Sequence, residues 1–468
     1  MKTDTQGWKG KKVTVMGLGL NGGGLASARY FAHQGAEVTV TDLREPELLR
    51  ESIEGLSDLP VRYVLGKHEE QDFTGADVVI KNPAVPPDSR FLQAALSRGV
   101  PVETDLSIFL SLTHNPIIGV TGSKGKSTTA SAIAFGLQRV DPGTVLAGNI
   151  TVSPLDFVDG LDSRSPVVLE LSSWQLGDLR GRGILHPAIS AFTVILPDHL
   201  DRYKGMSDYI ADKKVLFQEQ GPDGKAVFNL DDPWQLEFPR ETRAQVFFYS
   251  VSDLPDGLRG AWLQGDKGTA KLSASGEEKH ILSSKRIPGA HNAVNLLCAG
   301  LVLQLYGVKA EVISRALAEF PGVEHRLEMF RQWKRLRFYN DSAATIPQAT
   351  VQAVRAVESP MVLIMGGTDK NIDFSPIAEV AQVPRALVLL AGSGTEKIRV
   401  LLEREGIAYK GPFGNIESAV DTAISVAGGG QESATVLFSP GCTSFGMFRN
   451  EFDRGAQFKR AVLEATAG

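Results

Sequence analysis

Cysteine is nearly missing from this chain. Its 468 residues hold only Cys298 and Cys442, far apart and outside any Cys-x-x-Cys pair. A disulfide framework or a cysteine-built zinc site is therefore not expected, a reducing compartment fits, and both cysteines read as small core residues rather than nucleophiles. No apolar run approaches the roughly 20 residues that span a bilayer. The opening Met1-Lys-Thr-Asp-Thr-Gln-Gly7 has no apolar stretch of the kind a signal peptide carries. A soluble, cytoplasmic chain with no membrane insertion is expected. Long basic blocks are also missing and the net charge is -5, so nucleic acid is not an implied partner. Neither a fixed-period repeat nor a low-complexity tract is visible. What is left is an ordinary globular composition, 43% hydrophobic and 22% charged, long enough for about two to four domains.

The most informative segment present is Gly119-Val-Thr-Gly-Ser-Lys-Gly-Lys-Ser-Thr128. It lies between the apolar run Pro116-Ile-Ile118 and a helical pattern from Thr129 to Leu137. Strand, glycine turn and helix make a phosphate-binding loop, in which backbone N–H groups and a helix N-terminus face the anion. Lys126 is placed to reach terminal phosphates, and the hydroxyl of Ser127 or Thr128 to hold Mg²⁺. The generic spacing G-x-x-x-x-G-K-S/T is missed by one residue, because Val120 stands at its first glycine.

Three α/β blocks follow from the apolar periodicity. The first contains Lys12-Val-Thr-Val-Met16, the turn Gly17-Leu-Gly-Leu-Asn-Gly22, a helical stretch through Phe31 and a strand ending in Asp42. That is a complete βαβ nucleotide fingerprint, with the acid where a ribose hydroxyl would meet it. A further strand, Asp77 to Ile80, runs into a turn at Asn82. The second block carries the phosphate loop and the strand Val167-Val-Leu-Glu170, whose terminal acid is either a Mg²⁺ ligand or a solvated strand end. A buried-type strand, Ala191 to Leu196, leads into Asp198-His-Leu-Asp201, where His199 is equally a metal ligand or a surface turn. In the third block, strands at 361–365, 387–390 and 435–438 each end in glycine-rich turns, as in an open parallel sheet. Two phosphate-type turns in three blocks suggest two substrates brought together by domain closure. A kinase or a dehydrogenase could still produce this much.

The motifs in their order resemble the Mur ligases, ATP-dependent amide-forming enzymes of peptidoglycan precursor synthesis. The family's loop, G-x-T-G-x-x-G-K-S/T-T, accounts for the offset glycines. Glu170-Leu-Ser-Ser-Trp-Gln-Leu176, Asp198-His-Leu-Asp-Arg-Tyr203, Tyr209-Ile-Ala-Asp-Lys213, Gly289-Ala-His-Asn-Ala-Val-Asn295, His325-Arg326, Asn340-Asp-Ser342 and Gly366-Gly-Thr-Asp-Lys370 complete the set. The run at 170–176 is similar to that of the D-glutamate-adding members. The resemblance implies a UDP-substrate domain over 1–111, a central ATP domain over 112–322 and an amino-acid domain over 323–468. It implies that Leu20, Asn21, Asp42, Arg44, Asn82 and Asn149 contact UDP-N-acetylmuramoyl-L-alanine. Gly122, Ser123, Lys124, Gly125, Lys126, Ser127, Thr128, Asn292, Asn295, Arg326 and Asp341 would hold ATP. Ser127, Glu170, His199 and Lys213, the last as a carbamate, would hold Mg²⁺, two ions being expected. Lys126, Glu170, His199 and Lys213 form the implied catalytic set, while Thr345, Lys370, Ser444 and Phe445 would grip D-glutamate. The implied enzyme is a monomer that activates a carboxylate as an acyl phosphate.

The chain departs from the family pattern at several places. Ala343 stands where lysine is usual, Lys124 where asparagine is usual, Phe445 for a leucine, Gly446 for an acid, and Glu451 where an aromatic residue is expected near the amino acid. One consequence is that Lys124 could restore the charge lost at 343. Three rivals are weaker. A folylpolyglutamate-type ligase would begin close to its phosphate loop, and a nicotinamide-dependent oxidoreductase leaves the second loop and Glu170 unexplained. A catalytically silent nucleotide-binding regulator has no need of Lys126, Glu170, His199 and Lys213 together.

Overall fold

Apolar runs closed by glycine turns become the strands of three sheets in the computed structural model, which describes residues 7–467 apart from 20–22, 151, 199–202, 274, 371, 431 and 445. The described residues form two compact bodies, 1–283 with 294–317 and 284–293 with 318–468. The fold is α/β throughout.

The first body holds two sheets. The smaller one orders its strands Val61–Leu65, Glu37–Asp42, Lys12–Met16, Val78–Lys81 and Val102–Glu103, all parallel. Its order reverses between Lys12–Met16 and Val78–Lys81, and the glycine turn lies at that switch point, where such sheets bind ligands. The larger sheet places Ile117–Thr121 between Val167–Glu170 and Ile189–Phe192, with Val145–Gly148, Lys225–Asn229 and Gln245–Ser250 outside them, all parallel. Three further strands, Gly260–Gln264, Lys267–Lys271 and Lys279–Leu282, extend one edge, the last two pairings being antiparallel. The two sheets share one apolar core that runs from Val13, Phe31 and Val40 to Leu169, Phe192 and Phe228.

One expected strand is shorter than its apolar run. The run from Ala191 to Leu196 pairs as a strand only to Phe192. Beyond it the backbone turns to the phosphate loop: Ser123 N–H donates to the Val194 carbonyl at 2.7 Å, and Ile195 N–H donates to the Asp232 carboxylate at 2.7 Å. Ile195 is buried there while Leu196 is 45% exposed, and Val194 pairs only through an isolated bridge to Lys124.

The second body contains a six-stranded sheet ordered Glu328–Trp333, Leu336–Asn340, Ala434–Phe438, Met361–Met365, Ala386–Leu390 and Tyr409–Phe413, antiparallel only in its first pair. Strand Met361–Met365 is buried on both faces: Leu363 and Met365 join one core layer, Val362 and Ile364 the other. Helices cover both sides, so the strand reads as a continuous apolar run without alternation. Among the described residues no helix is long and apolar enough to cross a membrane.

Candidate active site

The phosphate loop owes its shape to two glycines. Gly122 has φ +150° and Gly125 φ +90°. A Cβ on Gly122 would lie 1.9 Å from Thr193 Oγ1, and one on Gly125 would lie 2.4 Å from Asn295 Oδ1. The second contact brings Asn295 to the loop, from a helix more than 150 residues away in sequence (Ala290–Tyr306). Gly125 caps the helix Lys126–Leu137 without a side-chain hydrogen bond, which leaves the first amides of that helix turned toward the anion position. Ser127 is buried at this end. Ser123 is committed elsewhere, because its hydroxyl donates to the Leu196 carbonyl at 2.8 Å and meets the Tyr209 hydroxyl at 2.9 Å. Lys124 points outward and pairs with Asp198 at 3.5 Å.

Two lysines converge on one carbonyl. Lys126 Nζ donates to Gly122 O at 3.0 Å, and Lys213 Nζ donates to the same oxygen at 2.8 Å. Lys213 comes from the helix Met206–Gln218, is 1% exposed, and lies 4.4 Å over the Tyr209 ring. Burial, and then the charge of Lys126, hold its ammonium well below the ordinary lysine range. The neutral form, which this shift favours, is the one that can add CO₂ and become an acidic ligand.

Glu170 ends its strand beside the loop strand, in register with Val120 on one side and Gly148 on the other. It is 1% exposed, and Oε1 accepts from Asn149 Nδ2 at 2.9 Å. Its other oxygen, Oε2, is buried without a hydrogen-bond partner. A carboxylate oxygen so placed is costly unless a cation meets it, and beside a phosphate loop the fitting cation is Mg²⁺. Ser172 and Gln175 form a reciprocal capping box that starts the helix Ser173–Leu179 directly after this strand. Such a cap contributes about 1 kcal/mol. His199, the fourth expected ligand, lies outside the described residues.

In the smaller sheet, Asp42 is buried at its strand end and straps the glycine turn. Oδ2 accepts from Gly19 N–H at 3.1 Å and Oδ1 from Arg44 N–H at 2.9 Å, while Arg44 Nη1 lies 3.6 Å from Oδ2. Asn82 packs against Gly17 and binds the Met16 carbonyl through its own N–H. A small pocket opens there, lined by Gly17, Gly23, Gly24, Lys81, Asn82 and Asp105. Leu20 and Asn21 lie outside the described residues. Asn149 holds Glu170, as stated.

The second body places a pocket of about 300 Å³ at the carboxyl ends of Met361–Met365, Ala386–Leu390 and Ala434–Phe438. Ser444 lines it; Thr345, Lys370 and Glu451 do not, and Phe445 lies outside the described residues. Sequence reasoning missed Arg454, which lines this pocket and is fully buried. Its guanidinium donates to the Ser342 hydroxyl, the Ser342 carbonyl and the Cys442 carbonyl, tying two site loops together. Burial pulls its pKa down to about 10. An Arg-Gly pair at the start of a helix, Arg454-Gly455, is too common a signal to reveal this. Asn292 is buried and donates to the Pro288 carbonyl at 2.6 Å, and Arg326 sits between His325 and Leu327, both with positive φ.

Asp341 accepts from Leu327 N–H at 3.1 Å and from Ser439 Oγ at 2.7 Å, yet burial lifts its carboxyl from 3.8 to about 7. Between those values the folded body keeps a proton that the unfolded chain has released, so the stability this carboxyl contributes falls as pH rises from about 4 to about 7. Asp341→Asn carries no such proton. The thermal midpoint of wild type minus that of the variant is expected to decline across this window; a difference independent of pH would refute the assignment.

Comparison with known proteins bears on the family of the chain. Residues 120–303 match the model of the Mur ligase middle domain, and residues 11–104 that of the Mur ligase MurD-like N-terminal domain. A protein of Roseiflexus sp. (strain RS-1) named UDP-N-acetylmuramoylalanine–D-glutamate ligase is 42% identical, covering 98% of this chain and 99% of its own length. One of the same name from Treponema pallidum (strain Nichols) is 36% identical over 97% and 98%. Among solved structures, the UDP-N-acetylmuramate-alanine ligase MurC of Thermotoga maritima shares the fold with a TM-score of 0.64 at 18% identity, over 97% of this chain and all of that one. The MurF ligase of the same organism, solved with ADP, does so at 0.55 and 16%, over 98% and 96%. Identity at this level, sustained along nearly the whole length, makes the chain a member of the Mur ligase family.

Proposed function

We propose that the chain joins D-glutamate to UDP-N-acetylmuramoyl-L-alanine at the expense of ATP, releasing ADP and phosphate, as a cytoplasmic monomer. The observation that carries the site assignment is Glu170 Oε2, a buried carboxylate oxygen with no partner next to a phosphate loop whose Gly122 carbonyl gathers Lys126 and Lys213. In this reading the smaller sheet, within 1–111, takes the UDP substrate on Leu20, Asn21, Asp42, Arg44, Asn82 and Asn149. The loop residues 122–128 with Asn292, Asn295, Arg326 and Asp341 take ATP, within and beside 112–322. Thr345, Lys370, Ser444 and Phe445 take the amino acid, within 323–468.

Joining a carboxylate to an amine at neutral pH is uphill, so the carboxylate is first phosphorylated to an acyl phosphate and the amine then displaces phosphate. The first step brings a carboxylate against a triphosphate, and like charges repel. Lys126 and the helix N-terminus at Lys126–Leu137 offset that repulsion where charge develops. Glu170, His199, Ser127 and the carbamate of Lys213 would hold two Mg²⁺ ions, which supply charge neutralisation and orient the phosphates. Tyr209 and Ser123 keep Lys213 and the loop in register.

Phosphate release with UDP-N-acetylmuramoyl-L-alanine, ATP and Mg²⁺ against a panel of D- and L-amino acids tests this. Release is expected with D-glutamate, at a rate at least about tenfold above any other member of the panel; a different amino acid as the best substrate would overturn the specificity, and no release with any would overturn the reaction.

A further inference from the structure

Lys81 ends the strand Val78–Lys81 and directly precedes Asn82. Its side chain is 6% exposed and lines the small pocket beside the glycine turn. Its Nζ donates to Asp178 Oδ2 at 2.7 Å. Asp178 belongs to the other sheet's layer, on the helix Ser173–Leu179. The capping box starts that helix just after Glu170. The same helix packs closely on Met206–Gln218, the helix of Lys213: a Cβ on Gly177 would lie 2.8 Å from Asp212 Oδ2. One ion pair thus joins a wall of the first pocket to the two helices that follow Glu170 and carry Lys213.

Other links join the same two layers. Ser153 donates to Asp105, Arg182 bonds Glu103 and the Val102 carbonyl, and Arg29 approaches Asp156 at 3.6 Å. Of these, only the first reaches a residue of the pocket, and its partner Ser153 lies outside the helix Ser173–Leu179. A sequestered ion pair adds little net stability over an apolar pair of similar volume; what it supplies is fixed geometry. Reacting atoms need near-attack placement, and a misplacement of about 1 Å costs on the order of 10²-fold. We propose that Lys81 and Asp178 form a positioning pair, which sets the UDP-linked substrate's carboxylate relative to the phosphate loop. The proposal rests on the assignment of that substrate to the first pocket.

Steady-state phosphate release tests it with Lys81→Met, Asp178→Asn, the double variant Lys81→Met/Asp178→Asn and the conservative Lys81→Arg. Each single charge loss is expected to lower kcat/KM for the UDP-linked substrate about 30-fold, with KM for ATP within about twofold; it also leaves a sequestered charge without its partner, so the thermal midpoint of each single variant falls below that of wild type. The double variant should be no worse than either single one, and Lys81→Arg should recover most of the loss. Multiplying effects in the double variant, an equal change in KM for ATP, or full recovery of kcat/KM when the single variants are assayed well below their thermal midpoints would overturn the pair alone. A wild-type chain silent with the UDP-linked substrate would overturn both the pair and the reaction it serves.

Discussion

Glu170→Gln is expected to lower the ligation rate by about 10³-fold, or about 4 kcal/mol of transition-state stabilisation, without loss of fold. The side chains are nearly isosteric, and the amide oxygen of glutamine can still accept from Asn149 Nδ2, as Glu170 Oε1 does at 2.9 Å. What disappears is the negative charge at Oε2, the buried oxygen without a partner. A buried, unpaired carboxylate costs stability in the absence of a cation. In metal-free buffer the variant's thermal midpoint should therefore equal or exceed that of wild type. Wild type should gain stability when Mg²⁺ and a non-hydrolysable ATP analogue are added together, by the linkage between binding and folding, and the variant should gain much less. A variant that unfolds several degrees earlier in metal-free buffer would show that Glu170 serves the fold and not the metal.

Lys213→Ala should be nearly inactive, down by about 10³-fold, and partly restored by formate or acetate. The argument begins with burial. Lys213 sits in the interior with Lys126 on the same carbonyl oxygen, and both conditions disfavour its charged form. The neutral amine attacks CO₂, a C–N bond forms as one C=O π bond opens, and a proton leaves the nitrogen; an uncharged amine is thereby exchanged for an anion beside the loop. Alanine leaves a cavity open toward the Gly122 carbonyl, in which a short carboxylate can lie where the carbamate would. Rescue of about tenfold at millimolar carboxylate is expected. Wild-type activity in Lys213→Ala would remove the carbamate role, and inactivity without any rescue would assign Lys213 to the loop's architecture.

The chain's own order of residues determined a good part of this. The glycines at 122 and 125 fix a loop because only glycine tolerates φ of +150° and +90° beside Thr193 and Asn295. Apolar runs without alternation implied strands covered on both faces, and Met361–Met365 and Val167–Glu170 are such strands. Glu170 at a strand end, and Ser172 with Gln175 three residues on, are local signals, since a strand end and a capping box are made by neighbours in sequence. The antiparallel extension at 260–282 and the true end of the strand at Phe192 were not legible, because pairing partners and loop contacts compete for the same backbone groups.

Only tertiary structure decided the rest. Lys81 reads as part of a turn until Asp178 arrives from 97 residues away; Asn295 reads as a helix residue until it meets Gly125. Arg454 carries no sign in sequence that it will be among the largest fully buried side chains of the described residues and bind the loops at Ser342 and Cys442. The unpartnered oxygen of Glu170 and the suppressed charge of Lys213 belong to the same class. Each is a property of desolvation, and desolvation depends on what the rest of the chain packs against a residue. The sequence alone determines where glycine, capping and strand chemistry lie, while burial and charge pairing wait on contacts that sequence separation conceals.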